Sequence, residues 1–178
     1  GTKGFFGVYF AGGGDAPNIT VEGTPEQIAR GEYIVSLGCV GCHGANGSEA
    51  LPLTGGVDMA AAEGFGFAGK LVTANLTPGG DLANYTDGEI FRVIRHSVDK
   101  DGRKLAFMSF LSYNQLSDAD IEAVIAYLRS LPADPGTGAG GDELNFLGML
   151  MFGSGLVPGA APVEGVVTAP PAGATLQG

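Results

Sequence analysis

A chain of 178 residues has room for one domain with extensions. Nineteen acidic residues against nine basic ones give a net charge of −10, which argues against a nucleic-acid partner, because such partners are met by basic surfaces. The acidity is compatible with steering toward a basic partner, although acidity alone is an ordinary solubility feature. The 32 glycines and 10 prolines exceed what a compact domain carries, so part of the chain reads as linker.

The chain starts at Gly1 and not at Met, which reads as a processed or truncated end. Residues Gly4 to Ala11 (GFFGVYFA) are apolar but far short of the ~20 residues that span a bilayer. They read as the tail of an anchor, an interface segment, or a short packed strand or loop. With no complete signal peptide or membrane-spanning stretch in the sequence, the expectation is that the chain does not anchor itself. Gly12 to Gly23 reads as linker. The first helix is predicted from Thr24. Thr24 is the N-cap, Pro25 suits the first helical position, and Gln27 completes a T-x-x-Q capping box. The apolar series Ile28, Tyr33, Ile34, Val35, Leu37 carries the helix toward Cys39. Gly31 costs such a helix ~1 kcal/mol relative to Ala, which points to close packing against another backbone. Gly38 and Gly41 are expected to let the chain turn into the next element.

That element is Cys39-Val40-Gly41-Cys42-His43, the C-x-x-C-H spacing of a c-type haem attachment site. Two thiols at this spacing form thioethers to the two vinyl groups of one haem, and the adjacent His43 supplies an axial nitrogen. These are the only cysteines, so neither has a disulfide partner elsewhere in the chain. A thioredoxin-like reading lacks its βαβ context. A zinc reading lacks a further ligand at suitable spacing, His96 being the only other histidine.

Gly44 to Gly69 is Gly/Ala-rich and is expected to wrap the haem edge as loop. Leu51, Pro52 and Leu53 are expected on the ring, and the Pro52 carbonyl is the candidate acceptor for the His43 Nδ1–H. Asn75-Leu76-Thr77-Pro78-Gly79-Gly80 reads as a tight turn; its N-x-T is a weak glycosylation match. A second helix starts at Thr86, closed by Glu89, with Ile90, Val93 and Ile94 on its apolar face and Arg92, Arg95 and His96 in its last turns, where positive charge suits the helix dipole. Asp99-Lys100-Asp101-Gly102 reads as a turn and not as a calcium loop. Leu105 to Leu116 is expected to be irregular. A third helix starts at Ser117 with Ile121, Val124, Ile125 and Leu128 at i, i+3, i+4, i+7, and Pro132 ends it. Beyond it, Asp134 to Gly141 is linker, Phe146 to Phe152 an isolated apolar cluster, and Val157 to Gly178 extended or disordered when alone. Candidates for a sixth iron ligand are Met59, His96, Met108, Met149 and Met151.

The haem motif, with Ala29-Arg30-Gly31-Glu32-Tyr33 before it and Asn75-Leu76-Thr77-Pro78, Met108, Tyr113 and Ile125-Ala126-Tyr127-Leu128-Arg129-Ser130-Leu131-Pro132 after it, resembles a monohaem class I cytochrome c. The nearest resemblance is to cytochrome c subunits of membrane-bound dehydrogenases and respiratory complexes, including the monohaem subunit of alternative complex III. It covers about Thr24 to Pro132. It implies a crossing of the first and last helices at Gly31 and Tyr127, and it places the distal ligand at Met108. The chain departs from the family pattern at Val35, where an aromatic is usual, and at Met108-Ser109, where Met-Pro is usual.

The resulting expectation is an all-α, cytochrome c-like fold. Three main helices surround one covalent haem c held by Cys39, Cys42, His43 and Met108. Residues 24–132 form the haem domain, and 1–23 and 133–178 form irregular extensions. The expected function is one-electron transfer as a subunit of a membrane-associated complex on the periplasmic or extracytoplasmic face, peripheral or anchored by a segment outside this chain. Partners are then redox proteins, with neither nucleic acid nor a small-molecule substrate, and the chain is no enzyme by itself. The alternatives are a freely diffusing carrier and a haem enzyme or gas sensor with a labile sixth ligand.

Overall fold

The computed structural model describes residues 14–136, 138, 140–154, 156 and 161–169. The apolar stretch 4–11 lies outside them. The longest helix, α1 (Pro25–Gly38), begins with the anticipated reciprocal cap: Thr24 Oγ1 accepts from Gln27 N at 3.3 Å, and Gln27 Oε1 accepts from Thr24 N at 3.1 Å. A single turn, α2 (Val40–His43), follows directly, then α3 (Met59–Ala62). Strand β1 (Gly69–Val72) leads to α4 (Asp87–His96), whose Thr86–Glu89 capping box is present and whose end is marked by Ser97 in the left-handed conformation at φ 54°. Ser117 caps α5 (Asp118–Ser130) through the Asp120 N–H at 3.1 Å. Strand β2 (Gly141–Leu144) and α6 (Phe146–Gly153) complete the order.

The all-α expectation needs correction at β1 and β2, which pair antiparallel with Gly69 opposite Leu144 and Val72 opposite Gly141. The stretch that composition marks as linker and isolated cluster therefore supplies a strand and a helix. Among the described residues, no helix is long and apolar enough to cross a membrane.

The core forms where α1 crosses α5. The α5 series Ile121, Val124, Ile125, Leu128 is buried, as its spacing demands, and joins Val35, Leu53, Leu82, Ile90 and Tyr127. Each such side chain contributes ~1.5–3 kcal/mol through burial. Gly31 makes the crossing possible: a Cβ there would fall onto the Ala123 carbonyl and lie 2.8 Å from the Tyr127 Cβ. Arg30 Nε donates to Asp120 Oδ1 at 2.8 Å beside it.

Two arginines of α4 do more than complement a dipole. Arg95 is 3% exposed; it donates to the Asn114 carbonyl, to Leu116 O at 2.7 Å and to Asp118 Oδ1 at 2.5 Å. Arg92 donates to Asp99 O at 2.6 Å and Gly14 O at 3.2 Å. Arg95 bolts α4 to the end of the irregular 105–116 segment, which contains two 3₁₀ turns, and Arg92 bolts it to the Asp99 loop before that segment.

The described residues beyond Pro132 fold back on the rest of the chain. Asp134 O accepts from Asn75 Nδ2 at 2.8 Å and from Thr77 Oγ1 at 2.7 Å. Asn75 is 1% exposed and committed to this bond, so the N-x-T triplet is no accessible glycosylation acceptor. Farther on, Val167 exchanges bonds with Asp118, and Ala161 O accepts from Asn114 Nδ2 at 2.6 Å.

Candidate functional site

The C-x-x-C-H residues sit where α1 ends. Cys39 is the C-cap of α1 and the N-cap of α2, so Cys42 and His43 follow in one tight turn, with the His43 N–H bonded to Cys39 O at 2.9 Å. Gly38 is helical; its role is space and not a turn. A Cβ on it would lie 2.8 Å from Cε1 of Tyr113, whose hydroxyl donates to the Gly38 carbonyl. Tyr113 thus ties the segment after Met108 to the cysteine turn.

Cys39, Cys42, His43 and Met108 line one cavity of about 460 Å³, within the ~300–1,000 Å³ typical of cofactor pockets. Its apolar wall includes Leu82, Ile90, Ile94, Val124 and Leu128 from α4, α5 and the preceding turn. Met59, the first residue of α3, also lines it; His96, Met149 and Met151 do not. Met59 is 8% exposed and packs with Ala60, Leu71 and Ala106. Leu51, Pro52 and Leu53, expected on the ring, are not part of the lining. Leu51 and Pro52 are exposed, and Leu53 is buried in the helix core.

The acceptor for His43 also differs from expectation. Nδ1 lies 2.9 Å from Ala74 O, while Pro52 O accepts from Ala45 N. The reason is β1: its extended continuation, residues 73–76, passes along the cavity beside His43, and Thr73 O and Leu76 N are bonded to Gly56 and Leu53. A carbonyl only accepts, so Nδ1 carries the proton and Nε2 keeps its lone pair for a metal. Burial pushes the imidazole pKa down, which favours this neutral form, while the Ala74 bond pulls the other way. Burial, aided by Cys42, pushes the Cys39 thiol up to about 11, and burial also raises Cys42. That is the reverse of a thiol-redox pair. Among the described residues no cluster of three or more His, Cys, Asp or Glu is arranged to hold a metal ion.

The Asp99–Gly102 loop is a turn, as expected, and it borders the cavity. Asp99 Oδ1 accepts from the N–H groups of Asp101 at 2.9 Å and Arg103 at 2.8 Å, so its carboxylate serves the loop itself. Sequence reasoning missed Ala74, whose role is a backbone one, and the wall formed by Gly140 to Glu143.

A helical fold with a small sheet, enclosing a pocket that gathers a C-x-x-C-H turn, defines a covalent haem-attachment domain. Comparison with known proteins narrows the class: the cytochrome c family profile matches residues 28–132, more than half the chain, and the chain belongs to the cytochrome c family. Its cofactor is haem c, and the single C-x-x-C-H accounts for one. The thiol pair on the pocket wall, the apolar lining and the free Nε2 of His43 fit that group. The chain is 34% identical over 104 residues to the gluconate 2-dehydrogenase cytochrome c subunit of Pantoea cypripedii, covering 56% of this chain and 22% of that protein. It is 30% identical over 108 residues to the fructose dehydrogenase cytochrome subunit of Gluconobacter japonicus, covering 58% and 21%. A nicotinate dehydrogenase subunit of Pseudomonas putida is 31% identical over 109 residues, covering 58% and 8%. The chain therefore spans about a fifth of the first two relatives and less of the third.

Proposed function

We propose that this chain is a one-electron carrier whose iron is held by His43 and Met108, working as part of an electron-transport assembly on the extracytoplasmic side of a membrane. The observation that carries the reading is the convergence of Cys39, Cys42, His43 and Met108 on one apolar pocket. Bound there, haem c supplies an iron that stores and releases a single electron. Cys39 and Cys42 fix the group covalently. His43 is held in the metal-binding tautomer by Ala74 O, and the Met108 thioether is the soft donor that raises a haem potential relative to a second histidine. Leu82, Ile90, Val124 and Leu128 give the ring an apolar wall. With His43 and Met108 both committed to the iron, the chain would offer a substrate no place on it, so it would transfer electrons and leave catalysis to a partner.

The relatives' names support the assembly: each is a subunit of a dehydrogenase. Exposed apolar groups supply surface for such a neighbour. Phe146 is 69% exposed and Leu147 45% on α6, close to Phe67 at 56%. The residues proposed for the haem domain, 24–132, then carry the electron, and the flanking segments brace it.

Met108→Ala tests the ligand. Haem remains attached through the cysteines, the potential falls, and reduced protein binds carbon monoxide, whereas wild type and Met59→Leu do not. If wild type binds carbon monoxide as readily as Met108→Ala, the carrier reading fails and the enzyme or sensor reading takes its place.

A further inference from the structure

The Met108 loop is gripped by described residues beyond 132, outside the part matched by the family profile. Two contacts make the grip. Asp142 on β2 accepts the Ala106 N–H at 2.6 Å through Oδ2, two residues ahead of Met108. Phe152 on α6 lies against Phe110, two residues after Met108, with ring centroids 5.7 Å apart; Phe110 in turn meets Phe107 edge-on at 6.0 Å. Leu144 and Phe152 pack on the buried cluster that contains Ala106 and Met59.

The return itself is anchored at both ends. Before it, Asp81 Oδ2 accepts from Gly140 N at 3.1 Å and Asn75 N at 2.9 Å; along it, β2 pairs with β1. At α6, Asn145 Nδ2 donates to Phe67 O at 2.8 Å, and Gly148 lies so close to the Ala68 carbonyl that no Cβ fits. Burial pushes the Asp142 carboxyl up, with the Asp99 charge adding to it, opposed first by the bond from Ala106 and then by the Arg103 charge, so a carboxylate at this position costs solvation that these two partly offset. The Met108 segment has few regular backbone bonds of its own, being a single 3₁₀ turn. Such a turn holds a fixed geometry through its neighbours.

We infer that β2 and α6 form a clasp that fixes the Met108 loop, with Asp142 and Phe152 as positioning residues for the axial thioether. The inference rests on Met108 being the ligand. In it, the C-terminal return, which also supplies the 140–143 wall of the pocket, slows the exchange of the thioether for external ligands.

The test uses the full-length holoprotein in its ferric state, with imidazole as the competing ligand. Wild type shows the weak far-red sulfur-to-iron band and binds imidazole slowly. Asp142→Ala loses part of the band and binds imidazole about 10- to 100-fold faster, the scale of a lost hydrogen bond to an ionised acceptor. Asp142→Asn restores both, because its amide oxygen still accepts the Ala106 N–H. Phe152→Ala shifts band and rate in the same direction as Asp142→Ala through a separate contact, so the clasp remains testable if one variant folds poorly. Wild-type band and rate in both alanine variants, with haem content and helicity unchanged, overturn the clasp. A wild type lacking the band overturns the Met108 reading itself, a result distinguishable from failure of the clasp alone.

Discussion

Gly31→Ala places two opposing effects in direct competition. Alanine in a helix interior is favoured over glycine by ~1 kcal/mol, so propensity alone predicts a more stable protein. The crossing predicts the reverse. The new Cβ would overlap the Ala123 carbonyl and lie 2.6 Å from its carbon and 2.8 Å from the Tyr127 Cβ. These atoms belong to backbone or sit next to it and cannot rotate away, so α1 and α5 must separate. Overpacking of this kind costs ~1–3 kcal/mol, and the upper end applies because no side chain can absorb the strain. A gap of ~0.5–1 Å also forfeits a quarter to a half of each dispersion contact along the seam that buries Val35, Ile121 and Val124. A gross cost of ~3 kcal/mol less ~1 kcal/mol of propensity leaves ~2 kcal/mol of destabilisation, or a Tm lower by ~4–8 °C for a chain of this size. Thermal unfolding of the holoprotein followed by circular dichroism measures it. Gly153→Ala, at an α6 position with open space around the added carbon, is the control and should be neutral or slightly stabilising. A rise in Tm of ~2–4 °C for Gly31→Ala would refute the argument that this crossing excludes a side chain.

Arg95→Ala leaves the Asn114 and Leu116 carbonyls and Asp118 without their shared donor, and should cost ~3–5 kcal/mol in chemical denaturation. Arg95→Lys should recover only part, because an ammonium lacks the guanidinium fork. Burial lowers the pKa of His96, and the Arg95 and Arg92 charges push it further the same way. The folded state therefore resists protonation of His96, its contribution is complete well above ~6.5, and it is lost as the pH falls below that unfolded value. His96→Asn should flatten the dependence of stability on pH between about 7.5 and about 5, and a slope equal to that of wild type would contradict the assignment.

What was legible in the sequence was mostly local. Thr24 with Gln27, Thr86 with Glu89, and Ser117 each announce a helix because a cap is a contact across three residues. The C-x-x-C-H spacing is readable because it lies within five contiguous residues, and Gly31 signalled a close crossing because it breaks an otherwise favourable helix. The misses are contacts between distant segments. Ala74 serves His43 through a carbonyl that any residue possesses. β1 and β2 are four residues each and stabilise one another, so neither carries a pattern long enough to be read alone. α6 had one readable signal, Asn145 accepting from Gly148 N at 3.0 Å, masked by an apolar run without helical period and by glycine-rich flanks. Arg92 and Arg95 sit where dipole complementarity suffices as an explanation, and only the surrounding loops reveal them as buried struts.

The most direct test of the central claim is a spectroelectrochemical titration of the purified holoprotein. A carrier with two protein-derived axial ligands gives a single one-electron Nernstian transition, one covalent haem per chain, and a low-spin spectrum at both ends. A high-spin spectrum in either oxidation state would contradict it.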